Sequence, residues 1–444
     1  MKTLKSAVDV IYSFYTISTT DEGELDKFYQ RMKTELIETK YFLPDDIAKC
    51  IIDNFNYRCK YLKAYFYIFK KYYEEYQPKL NDHKLGIDDF LEHKDNQYLI
   101  KENILKFYED PSILRAILTD DKCEFALLTE EEGFDPNQKL WEICPIIKCR
   151  RYSILEFCCL CGAVGCFKIL TTKFDPEITK KCIEASFLGG NADIIDECLK
   201  KQEPDINAME GAIISHNIDF VMFLVEEYDL GISLSCCCEH YNLHAFIVYI
   251  DQNIENSNYC LEHTSYFNIP SICEFLLDHG AKIVSYDVLY NAISLNRKEI
   301  VNILISHGAD INAKFDFNAQ TYLIISVVRN DLQTLESILS LGADINAVDN
   351  YGQSALHYAT MNHNTEIANC LVSHGIDVNL TDNMNQTALH ISVLNSLHEI
   401  TKSLLLHGAR ADIKDENGYT ALEIAVRFCY KESAELIMSY AKEK

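Results

Sequence analysis

Two clusters of sulfur and imidazole have the residue types for chemistry. Cys158 and Cys161 stand at the Cys-x-x-Cys spacing of zinc ligands, with Cys159 between them and Cys144 and Cys149 upstream. Further on, Cys236-Cys237-Cys238-Glu239-His240 is followed by His244, and two histidines one helical turn apart can share a metal. Thiols of this kind also suit a metal- or thiol-dependent enzyme or a redox sensor. The histidine cluster, however, has no second ligand set at matching spacing. No cysteine or serine lies in a Gly-rich elbow or strand-end context, and no P-loop or dinucleotide fingerprint occurs. Gly162-Ala-Val-Gly165 falls in a helix turn instead.

The elements that carry these residues explain them better. Thr321, Ser354, Thr387 and Thr420 stand 33 residues apart, and each opens a short apolar run. About twenty residues later comes a second phrase, as in Leu341-Gly-Ala-Asp-Ile-Asn and His374-Gly-Ile-Asp-Val-Asn. A fixed period of this length marks one supersecondary unit stacked on copies of itself. Leu356, Ala359, Ile367, Leu371 and Val372 follow helical spacing, interrupted near Asn362-His363-Asn364, which predicts two antiparallel helices and a tight turn. The Thr or Ser is the N-cap, and the Gly of the second phrase closes the second helix in a left-handed conformation. Asp349-Asn-Tyr-Gly-Gln and Asp415-Glu-Asn-Gly-Tyr read as turns at the tips of projecting β-hairpins. Asn385 and Ala319 replace that tip glycine in the other two copies, and the Ala319 tip is the least regular.

These phrases resemble the ankyrin repeat, whose pattern places Thr-Pro-Leu-His-x-Ala at the first helix and Gly-Ala-Asp-Ile-Asn after the second. Pro is absent from every copy here. The histidine is kept as His357 and His390, with Ile324 and Glu423 in the other two copies. Upstream the pattern continues in worn form, from Ser153 through Glu184-Ala-Ser-Phe to Gly211-Ala-Ile-Ile. In this register Cys158 and Cys159 fall at the small positions of Ala359 and Thr360, and Cys166 at that of Ile367. Cys236 and Cys237 repeat the arrangement, so packed thiols rather than metal ligands are expected. The missing residues of the short copies are placed between Asn207 and Ala212, at truncated fingers. Worn repeats ahead of regular ones are similar to the large ankyrin families of trichomonad-type protists, whose leading segment is a domain of unknown function. The resemblance implies an all-α solenoid of about ten helix-hairpin repeats with short β-hairpin fingers.

Residues 1–110 show no repeat, and segments near 23–39, 45–76 and 88–107 read as helices. Tyr61, Tyr65, Phe69, Tyr72 and Tyr76 form one stripe suited to a buried face. The expected organisation is a helical capping domain over 1–110, degenerate repeats over 111–275, and regular repeats with a C-terminal cap over 276–444. The alternative for the first segment is a membrane- or RNA-associated adaptor, from Lys60, Lys63, Lys70 and Lys71 among the aromatics.

Formal charge is −26, of which −3 falls in residues 1–110 and −23 in the rest. Such a surface repels phosphate backbones and steers basic protein segments towards it. Eighteen cysteines without a secretory signal point to reduced thiols in the cytoplasm or nucleus. No apolar run is long enough to span a bilayer. The function expected is therefore a monomeric, non-catalytic protein-interaction scaffold without metal or cofactor, which binds a protein partner on a concave face. Positions that vary while the scaffold repeats are the candidates to read that partner. They are Phe315, Phe317, Gln320 and Arg329 in one copy, and Asn350, Tyr351, Gln353 and Met361 in the next. Asn383, Met384, Gln386 and Asn395 follow, then Glu416, Asn417, Tyr419, Arg427 and Phe428.

Overall fold

A chain of short amphipathic runs, many opened by a side-chain acceptor and many closed by a left-handed residue, folds as helix after helix. The computed structural model describes residues 2–39, 42–57, 61–76, 113–140, 152–315 and 317–443. The expected helix near 88–107, and Cys144 and Cys149, lie outside these. Two compact units divide at Asn256 and Ser257. That division falls ahead of the change in repeat regularity expected at residue 276. It puts one worn pair, α15 (Ser257–Phe267) and α16 (Pro270–Asp278), with the regular copies.

The first unit opens with four helices, α1 (Lys2–Tyr15), α2 (Glu22–Met32), α3 (Pro44–Tyr57) and α4 (Leu62–Tyr76). The aromatic stripe of α4 faces their common core, with Tyr65 and Tyr72 fully buried. The Tyr65 hydroxyl donates to the Phe14 carbonyl at 2.9 Å, and that of Tyr72 to the Pro44 carbonyl at 2.7 Å. Lys71 is drawn to Asp26, while Lys63 and Lys70 point to solvent.

Five helix pairs follow in this unit: α5 (Ile113–Thr119) with α6 (Lys122–Leu128), α7 (Ile154–Cys161) with α8 (Val164–Phe174), and α9 (Lys180–Gly189) with α10 (Ala192–Leu199). Next come α11 (Ile206–Ile214) with α12 (Ile218–Tyr228), and α13 (Leu234–Glu239) with α14 (Leu243–Gln252). The fingers are shortened, but not where the sequence placed the gap. Asn207–Ala212 lies inside α11, because Asp205 caps that helix by accepting from the Asn207 N–H at 3.0 Å. The Asp-Ile-Asn phrase, which leads to a finger in regular copies, here starts the helix directly.

The helical bundle meets this array at its helix-to-helix turns. The Tyr15 ring stacks on His216 with centroids 3.6 Å apart. The Tyr241 phenol donates to Asp46 at 3.2 Å, and its ring lies beside Phe42 within the bundle core. These contacts fall at the α11–α12 and α13–α14 turns.

The second unit continues from α15 and α16 with α17 (Tyr286–Ser294) and α18 (Lys298–Ser306). A two-stranded finger, β1 (Lys314–Phe315) and β2 (Gln320–Thr321), leads into α19 (Tyr322–Val328) and α20 (Leu332–Ser340). The last pairs are α21 (Ala355–Met361) with α22 (Thr365–Ser373), α23 (Ala388–Leu394) with α24 (His398–Leu406), and α25 (Ala421–Arg427) with α26 (Lys431–Glu443). Across the two units the described residues form eleven pairs, against the ten expected. The fold is an all-α solenoid, with β structure confined to the fingers. The finger before α19 has the longer ladder even though Ala319 holds its left-handed position at φ 56°. The others close through single bridges, Val348 with Ser354, Thr381 with Thr387, and Lys414 with Thr420.

Candidate protein-binding face

The cysteine clusters sit where the repeat needs small buried groups. Cys158, Cys159, Cys166 and Cys237 have no solvent exposure. Burial pushes the Cys158 and Cys159 thiols well above their ordinary range, and the Cys236 thiol up to about 12. Cys182 moves the other way, because the Cys159 thiol donates to it, with the Thr179 hydroxyl 3.6 Å from its sulfur. Among the described residues no three His, Cys, Asp or Glu side chains converge to hold a metal ion.

The pairing read for His240 and His244 requires a correction. They do not share a helix: His240 is the C-cap of α13, and His244 lies in the first turn of α14. Tyr241 turns left-handed at φ 52°, and the Asn242 side chain accepts from the Ala245 N–H to start the next helix. His240 instead gives its carbonyl to the His216 ring at 2.7 Å.

His357 and His390 serve the scaffold. Nδ1 of His357 accepts from the Ser354 N–H at 3.1 Å, and Nε2 donates to the Gln386 carbonyl of the next repeat at 3.0 Å. His390 repeats this between Thr387 and the Tyr419 carbonyl, at 3.2 and 3.3 Å. Burial holds both imidazoles below the usual histidine range, so the neutral form is the folded one.

The fingers are fixed in the same repetitive way. The Asp349 carboxylate accepts from the Tyr351 and Gln353 N–H groups, and Asp382 and Asp415 do likewise in their copies. Neighbouring tips are then tied through backbone. Asn350 N–H donates to Asn318 O at 2.8 Å, Asn383 to Tyr351 O at 2.9 Å, and Glu416 to Met384 O at 2.8 Å. At the far end of each finger Asn312, Asn346 and Asn379 accept from backbone N–H of the following copy at 2.7–2.8 Å. This accounts for the Asn that ends the repeated phrase.

On this scaffold the varied side chains are presented in three kinds of environment. Phe317, Tyr351, Met384 and Phe428 are exposed, Phe317 completely and the others by just over half. Asn350, Asn383, Asn395, Glu416 and Asn417 are exposed beside them, and Gln320, Gln353, Gln386 and Met361 are half-buried. The Asn350, Asn383 and Asn395 amides donate to the Phe317, Asn350 and Ile391 carbonyls and that of Gln320 to the Tyr358 hydroxyl, and the remaining candidates are likewise engaged with their own scaffold. Phe315 packs on Tyr322 and Tyr286, Arg329 lies 4.4 Å above the Tyr290 ring, and Arg427 donates to Tyr419. The repeat register separates the anchors that the sequence grouped together. Phe317 aligns with Asn350, Asn383 and Glu416, whereas Tyr351 and Met384 share a row with Asn318 and Asn417. Val328 is exposed at the end of α19. Met361, Leu394 and Arg427 are its equivalents one, two and three periods on.

The helix pairs stack as an α-solenoid, and its second unit has the ankyrin-repeat pattern. The family model for ankyrin repeats (3 copies) matches residues 289–382 and 377–444, and that for a domain of unknown function (DUF3447) matches residues 174–249 ahead of them. Human ankyrin repeat and SOCS box protein 6 is 34% identical over 106 residues, covering 21% of this chain and 25% of that protein. An ankyrin repeat protein of fowlpox virus is 26% identical over 155 residues, covering 34% of this chain and 32% of its own. The chain thus spans a quarter to a third of the length of these curated relatives. A solved ankyrin repeat domain from Acinetobacter baumannii is 26% identical, covering 41% of this chain and 98% of that one, with a TM-score of 0.36. Ankyrin repeats generally mediate protein–protein interaction. Among the described residues no helix is long and apolar enough to cross a membrane.

Proposed function

We propose that the protein is a non-catalytic interaction scaffold that holds a protein partner against the fingers and inner helices of residues 286–443. The observation that carries this reading is the contrast between fixed backbone and free side chains. Tip backbones are tied copy to copy, yet Tyr351 and Met384 stand more than half exposed on them, as Phe428 does at the end of the last inner helix. Large apolar groups held on a rigid frame lose little entropy on binding, and such residues carry much of the energy of protein interfaces. The acidic surface adds long-range attraction for partners with basic flanks, so association should slow as salt rises.

The test is affinity capture with the full chain, followed by mass spectrometry, beside the double variant Tyr351→Ala, Phe428→Ala. Both side chains are exposed, so circular dichroism should match wild type. Loss of the captured partner supports the assignment, and undiminished capture rejects these residues as the site.

A further inference from the structure

The two middle regular copies define what kind of segment the face fits. Their varied positions contain no Asp, Glu, Lys or Arg: Asn350, Tyr351, Gln353, Met361 and Asn362, then Asn383, Met384, Gln386, Leu394 and Asn395. In a chain of net charge −26 this uncharged strip stands apart from the surface around it. The nearby Asp349 and Asp382 carboxylates are buried and occupied by backbone N–H groups. A charged ligand side chain laid on the strip would be desolvated without a partner, so the segment opposite it must be uncharged.

Spacing selects its conformation. Tyr351 and Met384 recur once per repeat at the tips, as do Met361 and Leu394 on the inner helices. Packed helices stand about 8–10 Å apart, which sets the step from one anchor to the next. A β-strand turns the same side inward every second residue, about 6.7 Å, and its third residue points away. A polyproline-II segment turns the same side inward every third residue, about 9.3 Å, close to the repeat step. An α-helix reaches a similar step only at i, i+7, about 10.5 Å, and its backbone is already satisfied internally. Just ahead of the inner helices of these copies stand Gln353 and Gln386, both half-buried, with the Gln353 amide 3.9 Å from the Met361 sulfur. Amides in that place suit a ligand whose own backbone is open to hydrogen bonding, as in polyproline II.

Resting on the docking reading above, we infer that this strip takes an uncharged, extended segment in polyproline-II form. Its apolar side chains recur at every third position, one per repeat.

The experiment uses the full chain and fluorescence anisotropy with three labelled synthetic peptides of equal charge. One is Pro-rich with Leu at i, i+3 and i+6, one has Leu at i, i+2 and i+4 in a β-prone host, and one is Ala-rich and helical with Leu at i, i+4 and i+7. The period-three peptide should bind about tenfold more tightly than either other, a gap of about 1.4 kcal/mol. Met361→Lys and, separately, Leu394→Glu should each abolish that preference while circular dichroism stays that of wild type. Tightest binding by the helical or β-prone peptide, still weakened by Met361→Lys, overturns the conformation and leaves the docking face in place. Binding of all three that is indifferent to both variants overturns the face as well. No binding by any of the three overturns the inference.

Discussion

Between Ser153 and Gln252 the stack is held where helix meets helix, whereas between Ser285 and Glu443 it is held a second time where finger meets finger. In the worn copies the helices come together closely enough that side chains have no room at some positions. A Cβ on Gly189 of α9 would sit 2.1 Å from the Cys159 carbonyl oxygen, and one on Gly211 of α11 2.7 Å from that of Glu184. Cysteine, alanine and glycine fill this seam. The inner helices of the regular copies bury small residues as well, Ala355 and Ala359, Ala388 and Ser392, and Ala421 and Ala425. Carboxylate-clamped tips and the asparagine links supply the additional registration. The lesson is that fingers allow variation: with the backbone tied at its tips, the Tyr351 and Met384 side chains stay exposed, while the Asn350 and Asn383 amides add a second tie to the neighbouring tip.

The sharpest way to break this contrast is Gly189→Ala. Forcing a methyl between two helix backbones should cost roughly 3 kcal/mol, read by urea unfolding, and should make Cys159 and Cys182 reactive to a thiol reagent in the folded protein. Gly231→Ala, with nothing within 4 Å of the added Cβ, is the control and should change stability by less than about 0.5 kcal/mol. Equal loss from both would mean that the close seam is not what holds the worn copies.

The regular copies should show a pH dependence of their own. His357 and His390 are kept neutral by burial, while in the unfolded chain each titrates near the ordinary 6.5. The unfolded state therefore binds more protons in acid. Their contribution is fully present above about pH 6.5 and is lost as pH falls towards the lower folded values. The sister copy has Ile324 at this position, fully buried, which shows that the site accepts an aliphatic side chain. His357→Ile with His390→Ile should lose about 1 kcal/mol per site at neutral pH and flatten the melting-temperature profile between about pH 7 and 5. An unchanged slope would place the acid sensitivity elsewhere.

The smallest expected effect is a gain. Ala319 holds a left-handed tip conformation that Gly352 and Gly418 hold without strain. Ala319→Gly should stabilise by about 0.5 kcal/mol, the relief of strain less the added freedom of the unfolded chain. Thermal unfolding checks it.

Much of the fold was legible because its signals are local. The Thr and Ser caps, the left-handed tip at Asn385, and the small-residue sites of Cys158 and Cys237 all follow from groups within one repeat. The binding rows were legible only in part. Counting by 33 finds the positions that vary, but not that Phe315, Arg329 and Arg427 spend their side chains on Tyr322, Tyr290 and Tyr419. The sequence reading failed where a contact spans the chain or a turn breaks a pattern. His240 and His244 look like one helical face until Tyr241 turns left-handed between them, and nothing local in Tyr241 announces a carboxylate 195 residues away. The starting point of α11 was missed for a related reason: an Asp that introduces a finger and an Asp that caps a helix are the same residue type.

Tyr241 also changes what the first 76 residues are. Its backbone belongs to an array turn, yet its ring is only 6% exposed and counts among the core of α1–α4. The bundle is thus assembled around a keystone supplied by a much later stretch of chain. A fragment cut anywhere between the bundle and α5 would lose the Tyr241 ring beside Phe42 and its bond to Asp46. The change in sequence texture near residue 110 is therefore a seam in evolutionary style, while cooperative melting should run straight across it.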